Sequence, residues 1–124
     1  MYILYFVSQT DDGNWVDDIF TLDDVLEREK EFEDKDITFS ISDKKHPNGN
    51  PRYIYLIDKD DNGVCLNLTD NREQNTLEVY FGNDCKYIVS AFMDIMIDTG
   101  KVNKLCDEDF YSRTVHPEEF EKVG

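Results

Sequence analysis

Hydrophobic and polar positions alternate through residues 52–81, and the predicted fold is built around this stretch. Residues 52–57 are mostly aromatic or β-branched, which favours a strand. Residues 64–69 place apolar side chains at every second position, and after a polar break at 70–75 residues 77–81 repeat the pattern. Antiparallel strands that bury one face show this alternation. We therefore predict a three-stranded antiparallel meander.

Two features of the first strand of this meander bear on its surroundings. Asn62 and Gly63 follow it, and they can supply the two positive φ angles of a tight primed hairpin turn. Tyr53, Tyr55 and Ile57 share the strand's outer side, which is unusually apolar for a solvated surface. We interpret that side as either a second packing surface or a partner site.

The remaining elements follow from the spacing of apolar residues, which repeats about every two residues in strands and about every 3.6 residues in helices. They are a strand at 2–7, a helix from Thr21 to about Asp34, a strand at 37–41 and a helix at about 85–98, while residues 102–106 are compatible with a last short edge strand. The predicted fold class is α+β, a mostly antiparallel sheet of about five strands with two main helices packed on it.

The end of the second helix is marked by Thr99 and Gly100. Glycine just past a helix end favours the left-handed conformation that closes many helices. Lys101 then complements the negative end of the helix dipole.

Length and cysteine usage set the domain count and the compartment. A chain of 124 residues forms one domain, 1–124, with an acidic C-terminal tail at 107–124. It contains no apolar run of about 18 residues, and its first residues lack the positive leader of a signal peptide. The three cysteines form neither a C-x-x-C pair nor an even disulfide framework. We expect a cytoplasmic protein.

Charge is the strongest global property of the chain. It contains 28 acidic and 13 basic residues, which gives a formal net charge of -15. Such a chain repels nucleic acid and anionic membranes, so direct binding to either is not expected. The charge either attracts a basic protein partner or serves solubility alone.

A calcium loop is the only metal-binding pattern in the sequence. Asp58, Asp60, Asn62 and Gly63 match positions 1, 3, 5 and 6 of such a loop. Position 12 should be a bidentate glutamate and is Thr69, and the flanking segments are predicted strands rather than helices. A plain aspartate-rich hairpin turn is therefore favoured, and no metal or cofactor is predicted.

Catalytic chemistry is not expected either. Nucleophilic catalysis requires a Ser or Cys with a nearby base, and the two histidines, His46 and His116, both lie beside proline in loop-like sequence. We predict no catalytic residues and no enzymatic activity.

The order of elements carries a family resemblance. An aromatic and acidic segment precedes a helix, a strand, a polar loop, the meander and a second helix that ends in Thr99 and Gly100. Over roughly residues 15–105 this order resembles the Imm1-type immunity proteins of bacterial polymorphic toxin systems, and contact-dependent inhibition immunity proteins include similar members. The chain lacks the proline and the closing tryptophan that the family places soon after the glycine.

The resemblance implies a protein that stays in the producing cell and occludes the active site of a cognate toxin C-terminal domain. Such toxins are often nucleases or nucleic-acid-modifying enzymes with basic clefts, which agrees with the acidic charge of this chain. We expect a monomer or weak homodimer. The predicted contact residues are Asp11, Asp12, Trp15, Asp17, Asp18, Tyr53, Tyr55, Asp60 and Asp61.

Two other functions remain open from the sequence. A phage-encoded nucleic-acid mimic, such as an anti-CRISPR or anti-restriction inhibitor, would need carboxylates along one stripe, and here the acids are spread over loops and helix starts. A regulatory adaptor could dimerise through Tyr53 and Tyr55.

Overall fold

Six antiparallel strands form one open sheet in the computed structural model of the chain. The structure describes residues 2–16, 20, 22–45, 47, 49, 51–71, 76–82, 85–107, 109 and 113–115. The strands are β1 (Tyr2–Val7), β2 (Thr38–Ile41), β3 (Tyr53–Ile57), β4 (Gly63–Asn71), β5 (Thr76–Phe81) and β6 (Lys104–Cys106). Their spatial order is β2-β3-β4-β5-β1-β6. The predicted α+β class and the meander β3-β4-β5 are confirmed, and the edge strand within 102–106 makes six strands rather than five.

Within the described residues, three α-helices accompany the sheet. They are α1 (Leu22–Leu26), α2 (Glu29–Glu33) and α3 (Lys86–Met96), and a short 3-10 helix, Ile97–Thr99, follows α3. None of the helices in the described part of the chain is both long and apolar enough to cross a membrane.

The core lies between the helices and one face of the sheet. Phe92 of α3 occupies its centre, with ring centroids 4.6 Å from Phe6, 5.6 Å from Phe20 and 6.0 Å from Phe32. Alternate strand residues meet this cluster, and Ile54, for example, is fully buried beside exposed Tyr55. The predicted one-sided burial is therefore correct for β3 and β5, whereas Ile41 at the end of β2 is 48% exposed.

The first predicted helix is interrupted, which corrects the expectation of one helix from Thr21 to about Asp34. Thr21 lies outside the described residues, and α1 and α2 are separated at Glu27 and Arg28. A continuous helix would place Glu29 four residues after the buried Val25, on the same face and against the core. The break leaves Glu29 exposed, which avoids the cost of burying an unpaired charge.

The second predicted helix is confirmed, and its end has the expected geometry. Gly100 caps the 3-10 helix with a φ of 74°, in the left-handed region. The Thr99 hydroxyl donates to the carbonyl of Met96 at 2.8 Å and accepts from the Lys101 N–H at 3.0 Å. The Lys101 ammonium forms an ion pair with Asp24 of α1 at 3.1 Å, so it also links the end of this helix to α1.

Replacing Gly100 with alanine is expected to destabilise the protein by about 1 kcal/mol. A Cβ at this position would have no atom within 4 Å, so the cost arises from the left-handed backbone and not from a clash. Urea denaturation measures it. Gly82→Ala is the matched control, because Gly82 also has open space around its Cβ position but no positive φ. Equal losses in the two variants would contradict the left-handed cap.

Candidate functional site

The predicted contact residues do not form one patch. Strand pairing places Cys65 opposite Tyr80 and Tyr80 opposite Ile3, so β4 begins beside the start of β1. The β3-β4 hairpin with Asp60 and Asp61 therefore lies at that end of the sheet. The loop after β1 lies at the other end, about 20 Å away along a six-residue strand.

The loop after β1 is a tight hairpin. The N–H of Thr10 donates to the carbonyl of Asn14 at 2.8 Å, and the N–H of Gly13 donates to the carbonyl of Thr10 at 2.9 Å. Gly13 has a φ of 90°, and Trp15 pairs back with Gln9. This is the pattern of a three-residue hairpin loop that ends in a left-handed residue.

The acidic residues of this loop have different roles. The carboxylate of Asp12 accepts hydrogen bonds from the hydroxyl of Thr10 and, at 3.0 Å, from the side-chain amide of Asn14. The Thr10 hydrogen bond is the main reason that the pKa of Asp12 lies below its ordinary value. Asp12 thus shapes the turn, whereas Asp11 is exposed and Trp15 is half-buried. The predicted contacts Asp17 and Asp18 lie outside the described residues.

The β3-β4 hairpin has the same design, which corrects the predicted Asn62-Gly63 turn. Asp61 is the left-handed residue, with a φ of 64°, and Gly63 already pairs with Ile57 inside the sheet. The N–H of Asp58 donates to the carbonyl of Asn62 at 3.0 Å, and that of Asp61 donates to the carbonyl of Asp58 at 3.2 Å. Aspartate tolerates the left-handed region better than most residues. The loop therefore comprises residues 59–61 and ends before the Asn-Gly pair that the sequence pattern places in the turn.

The side chain of Asp58 fixes this turn. Its Oδ1 accepts from the N–H groups of Asp60 and Asn62 at 2.9 and 3.0 Å, and its Oδ2 accepts from the amide of Asn62 at 3.1 Å. Partial burial raises the pKa of Asp58, but these hydrogen bonds together outweigh it and leave the pKa below 3.8. The carboxylate that would be the first calcium ligand is thus occupied by the turn.

Replacing Asp58 with alanine is expected to destabilise the protein by about 1 kcal/mol at neutral pH, as the loss of a comparable capping side chain does. The folded pKa is lowered, so this stabilisation is complete above the ordinary value of 3.8 and is lost as pH falls through the folded pKa. Urea denaturation from about pH 5 to about pH 2.5 should show the difference from the native protein shrinking. Asp60→Ala, at an exposed neighbour, is the control, and a difference that grows toward acid would contradict this account.

The outer face of the sheet, opposite the core, carries a cluster of tyrosines. Strand register arranges it in two rows, each crossing from β3 through β4 and β5 to β1. We call this surface the tyrosine face, and its residues are Tyr53, Asn67, Glu78 and Tyr5 in one row and Tyr55, Cys65, Tyr80 and Ile3 in the other. All of them are half-buried except Tyr55, which is 42% exposed.

Hydrogen bonds connect the centre of the tyrosine face. The hydroxyl of Tyr80 donates to Oε2 of Glu78 at 2.7 Å, and the amide of Asn67 reaches the same oxygen at 3.5 Å. Tyr53 and Tyr55 lie edge to face, with ring centroids 5.8 Å apart. Aromatic rings around one carboxylate make a surface that is both apolar and negatively charged.

Three groups on this face, the phenols of Tyr55 and Tyr80 and the thiol of Cys65, have a raised pKa. The hydrogen bond to Glu78 is the main cause that raises the pKa of Tyr80. The Cys65 thiol is the main cause that raises the pKa of Tyr55, and burial raises the pKa of Cys65 itself. A protonated thiol is a poor nucleophile, so the arrangement is suited to binding rather than to covalent chemistry.

Sequence reasoning identified only part of this face. It placed Tyr53 and Tyr55 on an apolar outer side, but it did not select Tyr5, Tyr80 or Glu78 as contact residues. The period-two alternation of β5 already assigned Glu78 and Tyr80 to the outer side, whereas β1 is apolar throughout and assigns no side to Tyr5. The alternation does not specify that β1 pairs with β5, and this pairing brings Tyr5 beside Glu78 and Tyr80.

The helical side of the molecule is strongly acidic. Residues 22–36, which include α1 and α2, contain eight aspartates and glutamates but only three lysines and arginines. Glu29, Glu31 and Glu33 are among the exposed acids. This acidic layer lies on the opposite side of the sheet from the tyrosine face, so its charges are not part of that face.

In comparisons with known proteins, no family model, no curated protein and no solved structure matches the chain.

Proposed function

We propose that this protein binds and neutralises a basic protein partner, as an immunity protein that occludes the active site of a cognate toxin domain. The observation that carries the proposal is the tyrosine face, an aromatic sheet surface on the side away from the core, in a chain of net charge -15. In this role the protein acts in the cytoplasm of the producing cell, without a catalytic step of its own.

The composition of the face suits a protein interface. Tyrosine is enriched among the residues that dominate binding energy, because its ring is large and its hydroxyl is polar. A tyrosine buries roughly 150–250 Å² when fully covered. Tyr55 is 42% exposed and the other three tyrosines are less exposed, so the four together offer less than about 400 Å², under half of one side of a standard interface.

Charge favours a basic partner over a second copy of the chain. Two copies that stack through this face would each bring a net charge of -15, and like charges repel at short range. A basic domain would instead be attracted from a distance, which raises its association rate. We therefore expect a monomer or weak homodimer before the partner binds.

The proposal is tested with the protein that the gene directly upstream encodes. The C-terminal domain of an exported protein encoded there is produced with and without this chain. We expect the domain to be basic, to arrest growth alone, and to form a complex with this chain that persists at about 0.3 M salt, beyond the range in which exposed charges dominate.

Other results would point to other functions. If no single partner is captured and the chain competes with DNA for several unrelated DNA-binding proteins, with steep salt dependence, it is a nucleic-acid mimic. A mimic would need a continuous stripe of carboxylates, and the tyrosine face between the two acidic loops contains one carboxylate, that of Glu78. If the chain alone dimerises tightly, the adaptor function takes precedence.

A further inference from the structure

We infer that Glu78, between Tyr5 and Tyr80, is a receptor for an arginine side chain of the partner. This inference rests on the proposed function in one respect, namely that the partner is a basic protein. It goes further by assigning a particular residue type to a particular position on the tyrosine face.

Strand register forms the site. Glu78 lies on β5 and pairs with Tyr5 of β1 on one side and with Asn67 of β4 on the other. Directly paired side chains have Cβ atoms about 4.5–5.5 Å apart, and Tyr80 is the next residue of β5 on the same face. The carboxylate thus has an aromatic ring beside it across the strand pair and another along its own strand.

The carboxylate has room for a further ligand. Both hydrogen bonds that it receives from described residues go to Oε2, from Tyr80 at 2.7 Å and from Asn67 at 3.5 Å. An ionised carboxylate offers about four acceptor sites, so Oε1 and part of Oε2 remain for an incoming donor. The bond from Tyr80 also holds the carboxylate in place before a ligand arrives, which lowers the entropy cost of binding.

A guanidinium fits this arrangement better than other cations. It is planar, it donates two parallel hydrogen bonds to a carboxylate, and it stacks on aromatic faces. A lysine ammonium is more strongly hydrated and cannot form the paired bonds. A hard metal ion needs several oxygen ligands, and the residues that the structure describes include no group of three metal-binding side chains.

The site is tested with a small probe and the whole chain. N-acetyl-arginine methylamide is titrated while the ring resonances of the tyrosines are followed by NMR, and the uncharged citrulline analogue serves as the ligand control. We expect saturable shifts at Tyr5 and Tyr80 with the arginine probe and none with citrulline. The lysine analogue should bind at least about threefold more weakly.

Charge-matched variants then locate the site. Glu78→Gln should weaken the probe's association at least about tenfold, because a neutral amide loses the charge-assisted pair. Glu33→Gln makes the same change at an exposed glutamate of α2, on the helical side, and should change association less than about twofold. Tyr5→Ala should weaken it about two- to fivefold through lost stacking.

Several results would overturn the inference. Equal effects of Glu78→Gln and Glu33→Gln would show unspecific attraction, and so would shifts spread over all the tyrosines or equal binding of lysine. Because the amide oxygen introduced by Glu78→Gln can still accept from Tyr80, an unchanged amide spectrum should show that this variant folds. The probe titration uses no toxin. If the arginine probe binds at Glu78 but the upstream gene encodes no partner, the immunity function alone is refuted. A tight toxin complex that is unaffected by Glu78→Gln would refute the arginine site alone.

Discussion

Replacing Phe92 with alanine is expected to destabilise the protein by about 3–5 kcal/mol. Its side chain is 1% exposed and contacts rings from β1, from α2 and from the segment before α1. Removing it deletes apolar burial and leaves a cavity between elements that cannot collapse independently. Because domains of this size are stable by about 5–15 kcal/mol, the variant should lose a large share of its stability.

Urea denaturation of Phe92→Ala measures this effect. The midpoint should fall while the slope stays unchanged, because the surface exposed on unfolding is nearly the same. Asp94→Ala is the control on the same helix, since Asp94 is exposed, and we expect a change within about 0.5 kcal/mol. A loss below about 1 kcal/mol for Phe92→Ala would mean that this ring does not join the helices to the sheet.

The strands of this fold are predictable because one-sided burial leaves a period of two in the sequence. The meander β3-β4-β5 is found where the alternation predicts it, since consecutive antiparallel strands need only short turns between them. The position of β1 between β5 and β6 is different. It depends on contacts between residues more than 70 positions apart, such as Leu4 with Val79, and no local pattern specifies such a pairing.

Two predictions were wrong, the continuous first helix and the Asn62-Gly63 turn, and they failed for related reasons. The break at Glu27 and Arg28 carries neither glycine nor proline, so no local signal marks it. Packing against the core causes the break, because a continuous helix would direct Glu29 inward. In the hairpin, the Asp58 side chain selects the turn through its own hydrogen bonds, and Asp61 takes the left-handed position that the sequence pattern assigns to the following residues.

The candidate site also combines features that local sequence patterns predict with features that depend on long-range strand pairing. The outer position of Tyr53 and Tyr55 is a local property of β3, and it was predicted. The grouping of Glu78 with Tyr5 and Tyr80 requires β1 to pair with β5, and it was not. The same pairing places the two acidic loops at opposite ends of the sheet. Under the proposed function, charge would attract the partner from several directions, while the tyrosine face would make the contact.

Replacing Tyr53 and Tyr55 together with threonine is expected to weaken binding to the upstream toxin domain about 30- to 1,000-fold, or about 2–4 kcal/mol. The two rings lie 5.8 Å apart on one strand, so a partner that covers one covers the other. Threonine keeps the preference for a strand, so the fold should be retained. Surface plasmon resonance should show the loss mainly as faster dissociation, because the net charge that governs encounter is unchanged.

A third tyrosine provides the matched control. Tyr87 is 53% exposed, but it lies on α3, and its hydroxyl donates to the carbonyl of Lys35 at 2.9 Å, on the helical side of the sheet. Tyr87→Ala removes an exposed ring without touching the tyrosine face, and we expect toxin affinity within about twofold of the native protein. If this variant weakened binding as much as the threonine pair, exposed aromatic area in general would be responsible, and the tyrosine face would have no special role. If the threonine pair bound normally while Glu29, Glu31 and Glu33 proved essential, the partner would contact the acidic helical side instead.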